Sequence, residues 1–180
     1  GWTKGAVELL YLTYSYSYDI KTIITRVGSA YGPKMRSDEL VARVIIHAKL
    51  KKPFNLRSPY AKRLWTYQKD VISFYNALID RIEESEWAVI GNILHCAGNL
   101  NDEIVTNEEL VQTILELMKT RINVRYDDYE PGETIHGRPI DFKVNSNYTR
   151  ELLNWKPQYS LEKGLKETIQ WFDENISKYK

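Results

Sequence analysis

From its first residue the chain alternates β-branched runs with longer stretches in which apolar positions recur every three to four residues. At about 100° per residue, Lys4, Val7, Tyr11, Tyr14 and Tyr18 fall within an arc of roughly 80°, so residues 1–18 predict a helix with a buried stripe on which one lysine sits a turn from aromatic groups. Ile20 to Val27, nearly continuous and bounded by Asp19 and Gly28-Ser29, predicts a strand covered on both faces. Ser37, Asp38 and Glu39 cap a second helix running to about Leu50, with Leu40, Val41, Val44, Ile45 and Ala48 on its apolar face. Pro53 and Pro59 enclose a short extended piece, and Lys62 to Thr66 reads as another short strand. Asp70 to Ile82 predicts a helix with Val71, Phe74, Tyr75, Leu78 and Ile82 on one side and Asp70 as its cap.

Trp87 to Leu94 reads as a second buried strand, interrupted by Gly91 and Asn92. Thr106 and Glu109 have capping-box spacing and open a helix to about Lys119. Short strands are expected at 122–126 and 139–144 around the Pro131-Gly132 loop, then helices at 146–153 and 160–176 separated by Pro157. This alternation points to an α/β fold rather than a bundle. Helical periodicity starts at residue 1 without a capping signal, and two buried strands are too few for a whole doubly wound sheet, so the expectation is part of a larger α/β domain.

Composition narrows the class. At 180 residues with 43% hydrophobic positions the chain can bury a core, and one Cys among three His excludes an internal disulfide and offers no zinc-ligand spacing, so no metal is expected. A mean hydropathy of −0.47 and short apolar runs predict no membrane span, and the cytoplasm is the expected location. The formal net charge of +1 conceals an uneven distribution. Between Glu39 and Asp70 there is no acid, while Arg43, Lys49, Lys51, Lys52, Arg57, Lys62, Arg63 and Lys69 supply eight positive charges. Arg57 and Arg63 can hold a phosphate by two parallel hydrogen bonds, which suits either a phosphorylated small molecule or nucleic acid. His95 and Cys96, at the end of a buried strand, read as core; His47 reads as structural or exposed, and His136 and Trp65 as possible neighbours of a ligand.

Five pieces in order carry a family resemblance: Gly1-Trp2-Thr3-Lys4 on a helix; Thr25 to Pro33 with its Tyr31-Gly32-Pro33 turn; Arg63 to Val71; Gly137 to Asp141; and Leu152 to Leu165. Together they resemble the C-terminal part of an extended short-chain dehydrogenase/reductase of the NAD(P)-dependent nucleotide-sugar epimerase/dehydratase group. The resemblance implies the C-terminal portion of a Rossmann-type doubly wound parallel sheet with a small mixed α/β substrate-binding subdomain. Residues 1–33 would end the dinucleotide-binding domain, 34–69 would be a substrate-binding segment, 70–120 the last Rossmann elements, and 121–180 the C-terminal substrate-binding subdomain.

The same resemblance implies NAD or NADP as cofactor, a nucleotide-sugar substrate and a homodimeric parent. Lys4 corresponds to the lysine of the family's Tyr-x-x-x-Lys element, catalytic and cofactor-binding; its Tyr would lie immediately before Gly1. Val27 and Gly28 would lie beside the cofactor, and Ser29, Tyr31, Arg63 and Arg138 against the substrate. A cation near a phenol, whose ordinary pKa is about 10, favours the phenolate that serves as base. Ser29, where many members have Asn, Leu64 and Lys69 in place of acids, and Arg57 to Ala61 in place of a glycine-rich turn leave the substrate open. No glycine-rich turn follows a strand to seat a pyrophosphate, so the segment alone is expected to be inactive. The competing expectation is a non-catalytic nucleotide- or RNA-binding module that uses the basic 43–69 segment.

Overall fold

The computed structural model describes residues 2–85, 90–127, 134–135, 138–139, 141 and 143–179, with backbone alone at 2, 134, 135, 138 and 139. In chain order the elements are α1 (Trp2–Tyr18), β1 (Ile24–Val27), β2 (Ser29–Tyr31), α2 (Leu40–Lys49), β3 (Phe54–Arg57), β4 (Lys62–Tyr67), α3 (Gln68–Glu84), β5 (Ile93–Cys96), β6 (Ile104–Thr106), α4 (Asn107–Leu117), β7 (Val124–Asp127), β8 (Thr134–Ile135), β9 (Arg138–Pro139), α5 (Asn147–Leu153) and α6 (Leu161–Asn175). The architecture is α/β. β1 pairs in parallel with β5, β3 in parallel with β7, and β4 stands between β2 in parallel and β6 in antiparallel.

Two cores organise these pieces. The larger gathers Val41, Val44 and Ile45 of α2, Phe54 and Leu56 of β3, Leu110 and Ile114 of α4, and Leu165, Ile169 and Phe172 of α6 around Tyr31 and Tyr67. The smaller packs Phe74 and Leu78 of α3 against Leu94, Cys96, Leu153 and Trp155. Pro157 separates α5 from α6, and the backbone N–H groups of Gln158 and Tyr159 donate to the Asp70 carboxylate at 2.7 and 3.2 Å. Asp70 therefore ties the α5–α6 link to α3 and is not a cap; the N-cap is Tyr67. Gly164 lets α6 approach the sheet, since a Cβ there would lie 2.2 Å from the Tyr31 hydroxyl oxygen.

Several expectations need correction. The stripe on α1 is not buried: Val7, Tyr11, Tyr14 and Tyr18 are 42%, 56%, 48% and 68% exposed, and Lys4 is exposed with them. Periodicity reports that a face favours burial, but among the described residues this one meets only β1 across an open groove. The first strand is four residues rather than eight and is not covered on both faces, as Arg26 and Val27 are exposed. The strand expected at 87–94 is Ile93–Cys96; Ile90 and Gly91 form a turn with Gly91 at φ +75°, while 86–89 lie outside the described residues. The extended run expected to 144 is confined to Arg138–Pro139 among the described residues. Asp38 does not cap α2, because its carboxylate pairs with Arg36 and the N-cap is Glu39 without a side-chain bond. The capping box at Thr106 and Glu109 is present in both directions. No described helix is long and apolar enough to cross a membrane.

Candidate functional site

One face of the β2–β4–β6 sheet runs from a covered end to an open one. Side chains alternate along a strand, so Arg63, Trp65 and Tyr67 of β4 share a face, and the register sets Ser29 opposite Trp65, Tyr31 opposite Tyr67 and Val105 opposite Arg63. At the covered end α6 lies on Tyr31 and Tyr67; the Tyr31 hydroxyl donates to the Leu161 carbonyl at 3.0 Å, and burial raises its pKa. Tyr67 donates to Glu167 at 2.8 Å. Ser29, Trp65 and Arg63 lie at the open end, where they form the floor of a cavity of ≈ 620 Å³.

The stretch leading into α2, the first turn of α2 and the edge of β3 wall this cavity. Arg36 and Glu39 come from the stretch before α2, Arg43 from α2 itself, Asn55 and Arg57 from β3, and Asn107 closes the side toward α4. Four arginines thus meet one acid in the lining. Arg36 is paired with Asp38, and Arg43 lies 5.2 Å over the Phe54 ring while donating to the Asn55 carbonyl at 3.4 Å. A concave site with several guanidinium groups is suited to an anion with more than one phosphoryl group, because each planar fork matches two oxygens. Outside the cavity, Lys49 is paired with Asp173 at 2.5 Å and Lys69 with Glu167 at 2.7 Å, which breaks the positive run of the 43–69 segment.

The structure brings Ser29, Arg43, Arg57, Arg63 and Trp65 together and leaves the other residues named for cofactor or substrate elsewhere. Tyr31 is beneath α6, two positions from Ser29. Lys4 lines a second groove, of ≈ 350 Å³, with Val7, Tyr11, Ile24 and Thr25 between α1 and β1. Glu8, one turn along α1, accepts a hydrogen bond from Arg26 Nε at 2.9 Å, and this contact holds its carboxyl below the usual range. Val27 and Gly28 end β1 beside β5: Val27 pairs with Cys96, and the Gly28 N–H donates to the Cys96 carbonyl at 2.8 Å. Arg138 is in β9, but its side chain, like all of His136, lies outside the described residues.

Cys96 is buried and its thiol is pushed up to about 12, so it packs rather than reacts. His47 Nδ1 meets the Pro53 carbonyl at 2.6 Å and His95 Nδ1 the Asn145 carbonyl at 3.2 Å, both structural contacts. No group of three or more potential metal ligands occurs among the described residues. Sequence reasoning missed Arg36, Glu39, Asn55 and Asn107 as lining residues. Arg36, Glu39 and Asn55 lie in or close to the basic segment, whereas Asn107 had no advance signal, since five separate elements have to fold before these residues meet.

A family model described as GDP-mannose 4,6 dehydratase matches residues 1–168. The chain therefore belongs to the NAD-dependent epimerase/dehydratase family of extended short-chain dehydrogenase/reductases. It is 28% identical over 178 residues to a UDP-glucuronate 4-epimerase of Thermodesulfobacterium geofontis, covering 97% of this chain and 50% of the relative. With a dTDP-glucose 4,6-dehydratase of Neisseria gonorrhoeae it shares 26% identity, covering 96% of this chain and 50% of the relative. In fold it is similar to the UDP-glucuronic acid 4-epimerase of Bacillus cereus solved with UDP-glucuronic acid and NAD, with a TM-score of 0.81 at 21% identity over 93% of this chain and 50% of that one. The chain spans about half the length of the curated relatives it matches.

Proposed function

We propose that this chain is the substrate-binding portion of an NAD(P)-dependent nucleotide-sugar epimerase or dehydratase, and that the cavity over Arg63 holds the diphosphate of the substrate. The observation that carries this reading is the convergence of Arg36, Arg43, Arg57 and Arg63 with Ser29 and Trp65 on one concave wall. Arg63 grips the diphosphate, Arg57 and Arg43 add charge from the β3 side, and Ser29 faces the sugar. Arg138, from β9, is assigned to the same anion. This remote binding energy orients the sugar carbon for reaction. Tyr31 reaches the ligand only indirectly, by fixing β2 beneath α6.

In this reading β1 and β5 are the end of a Rossmann-type sheet, and the division at 33, 69 and 120 separates the cofactor-facing part from the substrate-facing parts. The nicotinamide cofactor fits the residues present only in part. Lys4, Val27 and Gly28 suit its nicotinamide-ribose end, and the sequence has no glycine-rich turn to seat its pyrophosphate. When bound, NAD(P) supplies the hydride acceptor and donor. Lys4 would hold a ribose hydroxyl of the cofactor, and its charge would favour the phenolate of the family's Tyr-x-x-x-Lys tyrosine, the base that takes the sugar hydroxyl proton.

Calorimetric titration with a UDP-sugar and, separately, with a uridine oligoribonucleotide tests the reading. Saturable one-to-one binding of the UDP-sugar, with weak, steeply salt-dependent binding of the oligonucleotide, is expected. Tighter binding of the oligonucleotide favours the RNA module.

A further inference from the structure

Helix α1 carries Lys4, yet its surface is almost wholly open. Among its described residues only Glu8 and Ser15 are not exposed, and at seven positions apart they mark one face, the face turned toward the rest of the chain. Glu8 makes the tie. Its two carboxylate oxygens accept Arg26 Nε at 2.9 Å and Arg26 Nη2 at 2.5 Å, a fork-to-fork pair that fixes orientation as well as distance. Arg26 stands in β1 between Thr25 and Val27, and the register sets it beside His95 of β5. The pair therefore holds α1 over the strand that ends at Val27 and Gly28.

Lys4 lies one helical turn before Glu8, and residues four apart on a helix are neighbours with Cβ atoms about 5 to 6 Å apart. Both line the groove between α1 and β1, and Glu8 is the only acid of α1. A lysine so placed pairs with a carboxylate that has no better partner. Here both oxygens of Glu8 are engaged by Arg26, and Lys4 makes no ion pair among the described residues. The planar guanidinium wins because it meets both oxygens at once, which an ammonium does not. One arginine thus does two things for Lys4: it fixes the helix that carries the ammonium, and it occupies the carboxylate that would otherwise neutralise it.

We infer that Arg26 and Glu8 are positioning residues for Lys4: the pair pins α1 over β1, and Arg26 keeps the Glu8 carboxylate off the Lys4 ammonium. The importance of Lys4 rests on the cofactor reading above, whereas the pin and the shield are tested without any nucleotide. Nitroxide labels at Gly5→Cys and Glu83→Cys in the 180-residue chain, one beside Lys4 and one near the end of α3, are read by double electron–electron resonance. A Cβ at Gly5 meets nothing within 4 Å, Glu83 is exposed, and the native Cys96 is buried. A narrow distance distribution is expected, broadened alike by Arg26→Ala, by Glu8→Gln and by the two together, and narrowed again by exchanging the pair as Glu8→Arg with Arg26→Glu. In the unlabelled chain, acetylation of Lys4 by an N-hydroxysuccinimide ester, followed by mass spectrometry, is expected to slow about twofold in Arg26→Ala, where Glu8 turns to Lys4, and to recover when Glu8→Gln is added. Release of the helix alone does not produce that difference, since α1 is released in both variants. An unbroadened distribution in Arg26→Ala overturns the pin, and equal acetylation in Arg26→Ala and the double variant overturns the shield. Arg26→Gln gives the same readings should Arg26→Ala fold poorly. Failure of the unmodified chain to bind a UDP-sugar overturns the substrate reading and leaves this one standing.

Discussion

Asp70 sits in the first turn of α3 with 1% of its surface exposed and both oxygens engaged by the backbone N–H groups of Gln158 and Tyr159. Burial raises its pKa, while the two N–H bonds and Lys163 pull it down. Because the raised value means that the folded chain holds this proton more tightly than the unfolded one, the group's contribution to stability is complete below the ordinary aspartate range. It is lost as pH rises through the raised value. Asp70→Asn is expected to flatten that part of the stability profile, as read by urea unfolding between pH 3 and 7. Asp70→Ala, which strips two buried N–H groups of their acceptor, is expected to cost about 2 to 4 kcal/mol. The sequence named Asp70 as a cap because a carboxylate at a helix start usually is one. Its partners lie 88 and 89 residues away, and no local pattern announces them.

Helix α4 was readable because its start chemistry is local: Thr106 accepts the Glu109 N–H at 3.1 Å, and Glu109 accepts the Thr106 N–H at 2.7 Å. Thr106→Ala should lower stability by about 1 kcal/mol in the same unfolding measurement. The three-residue strands β2 and β6 were not readable as strands, since Ser29–Tyr31 and Ile104–Thr106 are too short to show a period and exist through their pairing with β4. For α1 the periodicity was right about the helix and wrong about its surroundings. Leu9, Leu10, Tyr14 and Tyr16 are 67%, 54%, 48% and 94% exposed, a large apolar area for one helix. The chain is expected to self-associate in sedimentation velocity, and Leu10→Glu with Tyr14→Glu should shift it toward monomer without loss of helical circular dichroism. Unchanged sedimentation of the double variant would assign the association to another surface.

At the scale of the molecule, the proposed reading divides the chain into a substrate side, the cavity lined from five elements, and a cofactor side, the groove at Lys4 and β1. Ser29, Arg57 and Arg63 were legible because the family's motif or a guanidinium in an acid-free segment marked them. Asn107 and Arg36 were not, because their place depends on how α2 and α4 dock around the sheet. Two consequences follow for binding. The chain should take up a UDP-sugar while showing no micromolar affinity for NAD in the same calorimeter, because it carries no pyrophosphate-binding glycine turn. The central claim, a diphosphate held by Arg63, is tested most directly by comparing UDP-sugar affinity in Arg63→Ala and Lys51→Ala at two salt concentrations. Lys51 is an exposed lysine bonded to Thr120, away from the cavity lining. A guanidinium clamp predicts a loss of roughly 30-fold or more for Arg63→Ala and under about fivefold for Lys51→Ala at both concentrations. Equal losses in the two variants, or affinity that follows salt rather than residue identity, would contradict it.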